Sequence, residues 1–166
     1  MNVPIERQRV WRVVIPGQPA AQARPRFANG RAYRAGRSVQ WETAAAHLMA
    51  YEWKQEHPPG VRATGPLVLD VTAVFQRPKR LIWKRRPMER EPHDRRPDLD
   101  NVIKAAADAV QASGIIDDDG AICAIQARKC YAAGDESPHV AIVLRWAVPE
   151  GEDERERAVA GETGRG

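Results

Sequence analysis

Long apolar runs are missing from this 166-residue chain. No stretch approaches the ~18 consecutive apolar residues that a membrane-spanning helix needs, so none is predicted. The N-terminal residues MNVPIERQRVWR lack the apolar core of a secretory signal, which predicts a cytoplasmic protein. Cysteine is scarce. Cys123 and Cys130 are too few for a disulfide framework and, alone, too few for a zinc site. Internal repeats are absent too. A strong net charge is also lacking: +4 at pH 7 does not by itself argue for a nucleic-acid partner. What is present is ordinary globular composition, 43% hydrophobic and 29% charged, which excludes a wholly disordered chain.

The small total conceals segregation. Residues 6–37 carry eight Arg against the single acid Glu6. Residues 77–96 carry nine basic residues against three acids. Between and beyond them the sign reverses: residues 97–149 hold eight acids against four basic residues. Lys/Arg clusters attract polyanions through phosphate contacts and counterion release. Clustered carboxylates would repel the same polyanion unless a cation lay between, and carboxylate-bound Mg²⁺ is a common solution where phosphates react. The plainer alternative is that basic loops and an acidic helix are solvated surface.

Hydrophobic periodicity predicts six elements. Trp11–Ile15 reads as a strand ended by Pro16, Gly17 and Pro19. A helix is expected over about 39–56, capped by Ser38, with Trp41, Ala45, Leu48, Met49 and Trp53 on one face. Leu67–Phe75 alternates as a strand. A second helix is expected from Leu99 or Asp100 to Ala112, with Leu99, Val102, Ile103, Ala106 and Val110 inward and Gly114 as its left-handed terminator. Ala121–Tyr131 and His139–Trp146 read as strands of an antiparallel hairpin. The basic stretches 16–37 and 76–97 show no period and read as loops. The fold class expected is α+β: one domain over residues 1–148, a mixed sheet of about four strands with two helices packed on it. Residues 149–166 are polar and read as a disordered tail.

The chemically informative stretch is Pro97-Asp98-Leu99-Asp100-Asn101-Val102-Ile103-Lys104. Pro97 disfavours helix at Arg96, so the chain arrives extended and Asp98 and Asp100 point to one side at a helix entrance. The helix dipole favours carboxylates there. Asp100, Lys104 and Asp108 then form a charged stripe at i, i+4, i+8. Asp117, Asp118 and Asp119 follow the helix and can return a third carboxylate if the tertiary fold brings it back. Each residue also has an ordinary reading: Asp98 or Asp100 as an N-cap, Lys104 as a surface partner, the acid run as a polar turn. An EF-hand is excluded because its alternating acid spacing and terminal Glu are absent.

At these residues the sequence resembles the RusA family of Holliday-junction resolvases. Arg96-Pro97-Asp98-Leu99-Asp100-Asn101, then Lys104-Ala105, Asp108-Ala109, and Gly114 followed by Asp118-Asp119 match its pattern. A weaker match runs through Ile15-Pro16-Gly17-Gln18-Pro19, Arg24-Pro25-Arg26-Phe27 and Tyr33, and His93 sits where many members carry a histidine. Many members have Lys where this chain has Gln22, which would weaken one DNA contact. The resemblance implies catalytic, Mg²⁺-binding aspartates at Asp98, Asp100 and Asp119, with Lys104 as the active-site lysine. It implies a homodimer that cleaves four-way or branched DNA and uses no small-molecule cofactor. The basic loops would then track phosphates through Arg24, Arg26, Arg31, Lys79, Arg80, Lys84, Arg85, Arg86 and Arg96. Phe27, Tyr33 and Trp83 lie among these charges; such rings either anchor their loops or stack on bases. The expected function is a Mg²⁺-dependent, structure-selective endodeoxyribonuclease. A catalytically silent branched-DNA-binding protein of the same fold is the alternative, and an unrelated metal-using domain is a third reading.

Overall fold

The computed structural model describes residues 10–22, 26–28, 31–33, 36–83 and 88–147. In chain order the elements are β1 (Val10–Pro16), β2 (Arg26–Ala28), β3 (Arg31–Tyr33), α1 (Gly36–Glu56), β4 (Leu67–Phe75), β5 (Glu91–Pro92), α2 (Leu99–Ala112), β6 (Ile122–Tyr131) and β7 (His139–Trp146). The tail assigned to residues 149–166 lies outside the described residues.

Alternation decides which side of the sheet is buried. Trp11, Val13 and Ile15 of β1, Val140, Ile142 and Leu144 of β7, and Leu67, Leu69, Val71, Ala73 and Phe75 of β4 share the inward face. Against it lie α1, through Ala45, Met49 and Trp53, and α2, through Val102, Ala106, Ala109 and Val110. Full burial of each large side chain in this layer contributes about 1.5–3 kcal/mol. The two helices also pack on each other.

The sheet has five strands in the order β1-β7-β4-β6-β5. It is mixed, as expected: β6 runs parallel to β4, while β7 runs antiparallel to both β1 and β4. Four sequence expectations change. First, β6 and β7 do not form a hairpin, because β4 lies between them. The strand with the most continuous apolar pattern, LVLDVTAVF, takes the position with two long neighbours, whereas Cys123–Gln126 of β6 are exposed. The parallel β4–β6 pairing needs a long crossover, and α2 supplies it. Second, the sheet has five strands rather than about four. The extra one, β5, is two residues long and sits inside the second basic segment, where proline and charge hide any period. The first basic segment contains a small antiparallel pair, β2–β3, rather than only irregular loop. Helix α1 begins at Gly36, so Ser38 is buried in its first turn and is not its cap. Gly114 ends α2 with φ of +75°, the left-handed conformation expected of it.

Candidate active site

α2 forms where its sequence demands. Asp98 is the N-cap, extended at φ −68° and ψ 145°, and the apolar stripe begins one residue later. The Asp98 carboxylate makes no cap hydrogen bond. The commonest structural use of an aspartate at this position is therefore not the one found. Asp100 lies in the first turn, and Lys104 one turn on. All three side chains are exposed, and Asp98 and Asp100 have no ion-pair or hydrogen-bond partner among the described residues.

The turn leading into α2 is held from the sheet. Lys129 of β6 donates through Nζ to the carbonyl oxygens of Arg95, at 2.5 Å, and Pro97, at 2.7 Å. The Arg96–Pro97 peptide bond is cis. The Lys129 carbonyl in turn accepts from the His93 N–H at 3.2 Å. His93 is 8% exposed and stacks between Phe75 and Tyr131, with centroids 4.4 and 4.5 Å away. Its Nδ1 is buried without a partner among the described residues. Burial pushes the His93 pKa below its ordinary value, and the Lys129 charge pushes it the same way. Sequence reasoning missed Lys129. The available signal was a lysine inside a strand, seven residues beyond its start and beside Arg128.

Asp119 lies elsewhere in the chain. It opens the single 3₁₀ turn Asp119–Ala121 that leads into β6. Lys129, beside the start of α2, lies seven residues further along that strand, about 23 Å at strand rise. α2 itself, 14 residues long, spans about 21 Å in the opposite direction. Asp98 and Asp100 therefore sit at one end of the sheet and Asp119 at the other, on the order of 20 Å apart. Among the described residues no group of three or more His, Cys, Asp or Glu side chains is close enough to hold one metal ion. Asp118 caps the turn by accepting from the Gly120 N–H at 2.8 Å, and Asp117 pairs with Arg62. The acid run is thus partly a polar turn, and Asp119 alone of the three has no side-chain partner among the described residues.

The second basic segment divides by role. Arg77 is only 5% exposed and works as a structural clamp. Its Nε donates to the Ala132 carbonyl at 2.9 Å, another nitrogen donates to the Glu89 carbonyl, and Nη1 lies 3.2 Å from Glu91. Arg90 forks onto Glu136, and that hydrogen bonding holds the Glu136 carboxyl at about 2. These two arginines fasten residues 89–91 to the β6–β7 connection. Lys79, Arg80 and Arg96 remain exposed. Lys84, Arg85, Arg86 and Arg24 lie outside the described residues, while Arg26 and Arg31 fall on the paired strands β2 and β3. Trp83 is exposed, and its backbone N–H approaches the Met88 sulfur.

Gln22 fastens the first basic segment. Its backbone N–H donates to the Asn101 carbonyl at 2.9 Å, and its side-chain amide donates to the Asp108 carboxylate. Its amide is engaged on α2, not extended as a DNA contact, and Asp108 belongs to this tie as much as to the charged stripe.

The profile of the endodeoxyribonuclease RusA family matches residues 16–145. The chain belongs to the RusA family. The matched span includes β1's end, both helices and every residue from Asp98 to Asp119, so the carboxylate-bearing α2 lies within the family match. No curated protein matches the chain significantly. The family is one of endodeoxyribonucleases, which makes the chain a nuclease by family. Asp98 and Asp100 suit Mg²⁺ by their chemistry. They are hard oxygen donors with no partner among the described residues, and Mg²⁺ typically binds one or two carboxylates while keeping waters and substrate phosphate oxygens. Among the described residues no helix is long and apolar enough to cross a membrane.

Proposed function

We propose that the chain is a Mg²⁺-dependent, structure-selective endodeoxyribonuclease that resolves four-way DNA junctions in the cytoplasm. The observation that carries this reading is the pair of exposed carboxylates, Asp98 and Asp100, without a partner among the described residues, at the start of α2 within the RusA match. Asp98 and Asp100 would hold the metal, which when bound lowers the pKa of a water and neutralises charge on the phosphate and the leaving oxygen. Lys104, one turn along α2, presents its ammonium on the same charged stripe and stabilises negative charge developing on the phosphate. Lys129 holds the turn that aims Asp98. Lys79, Arg80 and Arg96 supply phosphate contacts that orient the backbone without reading sequence.

A four-way junction is close to two-fold symmetric and needs two matched incisions. A C₂ homodimer matches that symmetry. It would also give Asp119 a role that one chain does not: the Asp119 end of one copy can meet the Asp98 end of another.

The test is incision of a synthetic four-way junction with Mg²⁺, compared with linear duplex of the same sequence. Preferential, paired nicking of the junction supports the reading. Tight junction binding by wild type with no cleavage would instead support a silent branched-DNA-binding protein.

A further inference from the structure

We propose that Ile82 and Trp83 form an apolar wedge that stacks on the bases left open at the branch point of a DNA junction, and so makes the chain prefer junctions to duplex. The inference rests on the junction-nuclease reading above and names the residues that would give it structural selectivity.

The pair differs from the other apolar side chains at the surface. Ile82 is 47% exposed and Trp83 is 50% exposed. Among the described residues the other exposed large hydrophobics are Val10, Val14, Val39, Tyr51, Val61 and Ile125, and no two of them adjoin in the chain. Residues 79–86, KRLIWKRR, hold five cations and no acid. An apolar pair in so positive a stretch suits a polyanion that also offers apolar faces. DNA is such a partner: its phosphates meet the cations, and every base has a π-face for an indole. An acidic protein surface offers the first without the second.

The backbone fixes the pair from both sides. The Leu81 N–H donates to the Pro78 carbonyl at 2.8 Å and the Ile82 N–H to the Lys79 carbonyl at 3.2 Å, closing the single 3₁₀ turn Lys79–Leu81. Leu81 is half-buried and packs against the core, so it anchors that turn. On the far side the Trp83 N–H donates to the Met88 sulfur at 3.1 Å. The Met88 carbonyl accepts from the Gly134 N–H at 3.0 Å, which ties Met88 to the β6–β7 connection. A wedge held in place beforehand loses little conformational freedom when it inserts.

The turn bearing the wedge leaves the sheet at the end where Asp98 lies. β4 ends at Phe75, three residues before Pro78. The Phe75 ring lies 4.4 Å from His93, the His93 N–H reaches the Lys129 carbonyl, and the Lys129 ammonium reaches the Pro97 carbonyl. The Gln76 N–H donates to Gln18 Oε1 at 3.1 Å, so the first basic segment arrives at the same end. Selectivity follows from stacking. In continuous duplex each base pair is stacked on both faces, and inserting a side chain must first break a stack. Base pairs at a branch point have already lost a neighbour, so the indole adds a stack without breaking one. Lys79 and Arg80 then hold any DNA, and Ile82 and Trp83 favour the branched form.

Photocrosslinking tests the contact directly. A four-way junction carrying 5-iodo-deoxyuridine at its branch point, bound to wild type in Ca²⁺ and irradiated, should crosslink at Trp83, read by peptide mass. Moving the label one helical turn into an arm should remove the crosslink. Ile82→Ala/Trp83→Ala should weaken junction binding about 5–100-fold, the range for lost base stacking. Duplex affinity, the slope of log affinity against log salt and the thermal midpoint should stay at wild-type values. Trp83→Phe should recover most of the junction preference, because a phenyl ring also stacks. A lowered midpoint with equal losses on junction and duplex would make the pair structural and overturns the proposal. So does an undiminished junction preference in the double variant, or a branch-point crosslink that maps to Phe27 or Tyr33 instead. The wild-type crosslink decides the matter even if the double variant fails to fold. A wild type that neither prefers nor cuts the junction overturns the nuclease reading itself. A wild type that prefers and cuts it, with the double variant preferring it equally, overturns the wedge alone.

Discussion

The ammonium of Lys129 lies 2.7 Å from the carbonyl oxygen of Pro97, the residue immediately before Asp98. A residue of the sheet thus sets where a candidate metal ligand begins. Lys129→Met should leave the Arg95 and Pro97 carbonyls without their donor and lower junction cleavage about 10–100-fold, the range for residues that orient ligands. Apparent Mg²⁺ affinity should weaken with it, while junction binding in Ca²⁺ stays within a few-fold. Lys129→Arg should recover part of the loss. An unaltered Mg²⁺ dependence in Lys129→Met would show that the contact does not aim Asp98.

Asp98→Asn and Asp100→Asn remove charge from exposed side chains that have no partner among the described residues. Each should abolish cleavage and leave the thermal midpoint within about 2 °C of wild type, because surface substitutions away from partners change stability by about 0.5 kcal/mol or less. Junction affinity by electrophoretic shift should be equal or tighter. Normal cutting by Asp100→Asn would remove it from the metal site.

Arginines in residues 77–96 should divide into two classes. Arg77→Met breaks a buried charged clamp and should cost about 3 kcal/mol by chemical denaturation, with the salt dependence of binding unchanged. The double change Lys79→Ala/Arg80→Ala should do the opposite, leaving stability intact and reducing the slope of log affinity against log salt by about 1–2. An unchanged slope would take this turn off the DNA face.

Stability should fall as pH is lowered below the ordinary histidine value of 6.5, because His93 resists protonation in the folded state. The unfolded chain binds a proton that the folded chain refuses, so stability is full above 6.5 and declines between 6.5 and the lowered folded value. His93→Phe keeps the stack with Phe75 and Tyr131 and removes both the titration and the unpartnered Nδ1. Its thermal midpoint should drop less than that of wild type between pH 7.5 and 5.5. Parallel pH curves for the two proteins would assign the acid sensitivity elsewhere.

Local pattern made the elements legible. Leu67–Phe75 and His139–Trp146 stand at their expected bounds, and α2 ends at Ala112 with Gly114 left-handed, because alternation, helical stripe and terminator all act within a few residues. Neighbour relations were not legible. The seven residues between Tyr131 and His139 suit a hairpin, and only competition for the central position, won by the more apolar β4, separates the two strands. At the candidate site, Asp98, Asp100 and Lys104 share one helix start, so sequence spacing alone groups them. Asp119 follows a helix that carries the chain about 21 Å away, and spacing along the chain says nothing of that displacement. Arg77 and Arg90 looked like their neighbours until burial and pairing with the β6–β7 connection distinguished them.

The position of β7 has a consequence for synthesis. β1, made first, has no neighbour in the sheet except β7, made last, and β7 is also one of the two strands flanking β4. A nascent chain that has not yet released residue 146 offers β4 only β6, and β1 nothing. Such non-local pairing is slow to form and must wait for the whole span. A prematurely terminated chain would therefore carry the candidate aspartates of α2 without the complete sheet beneath them.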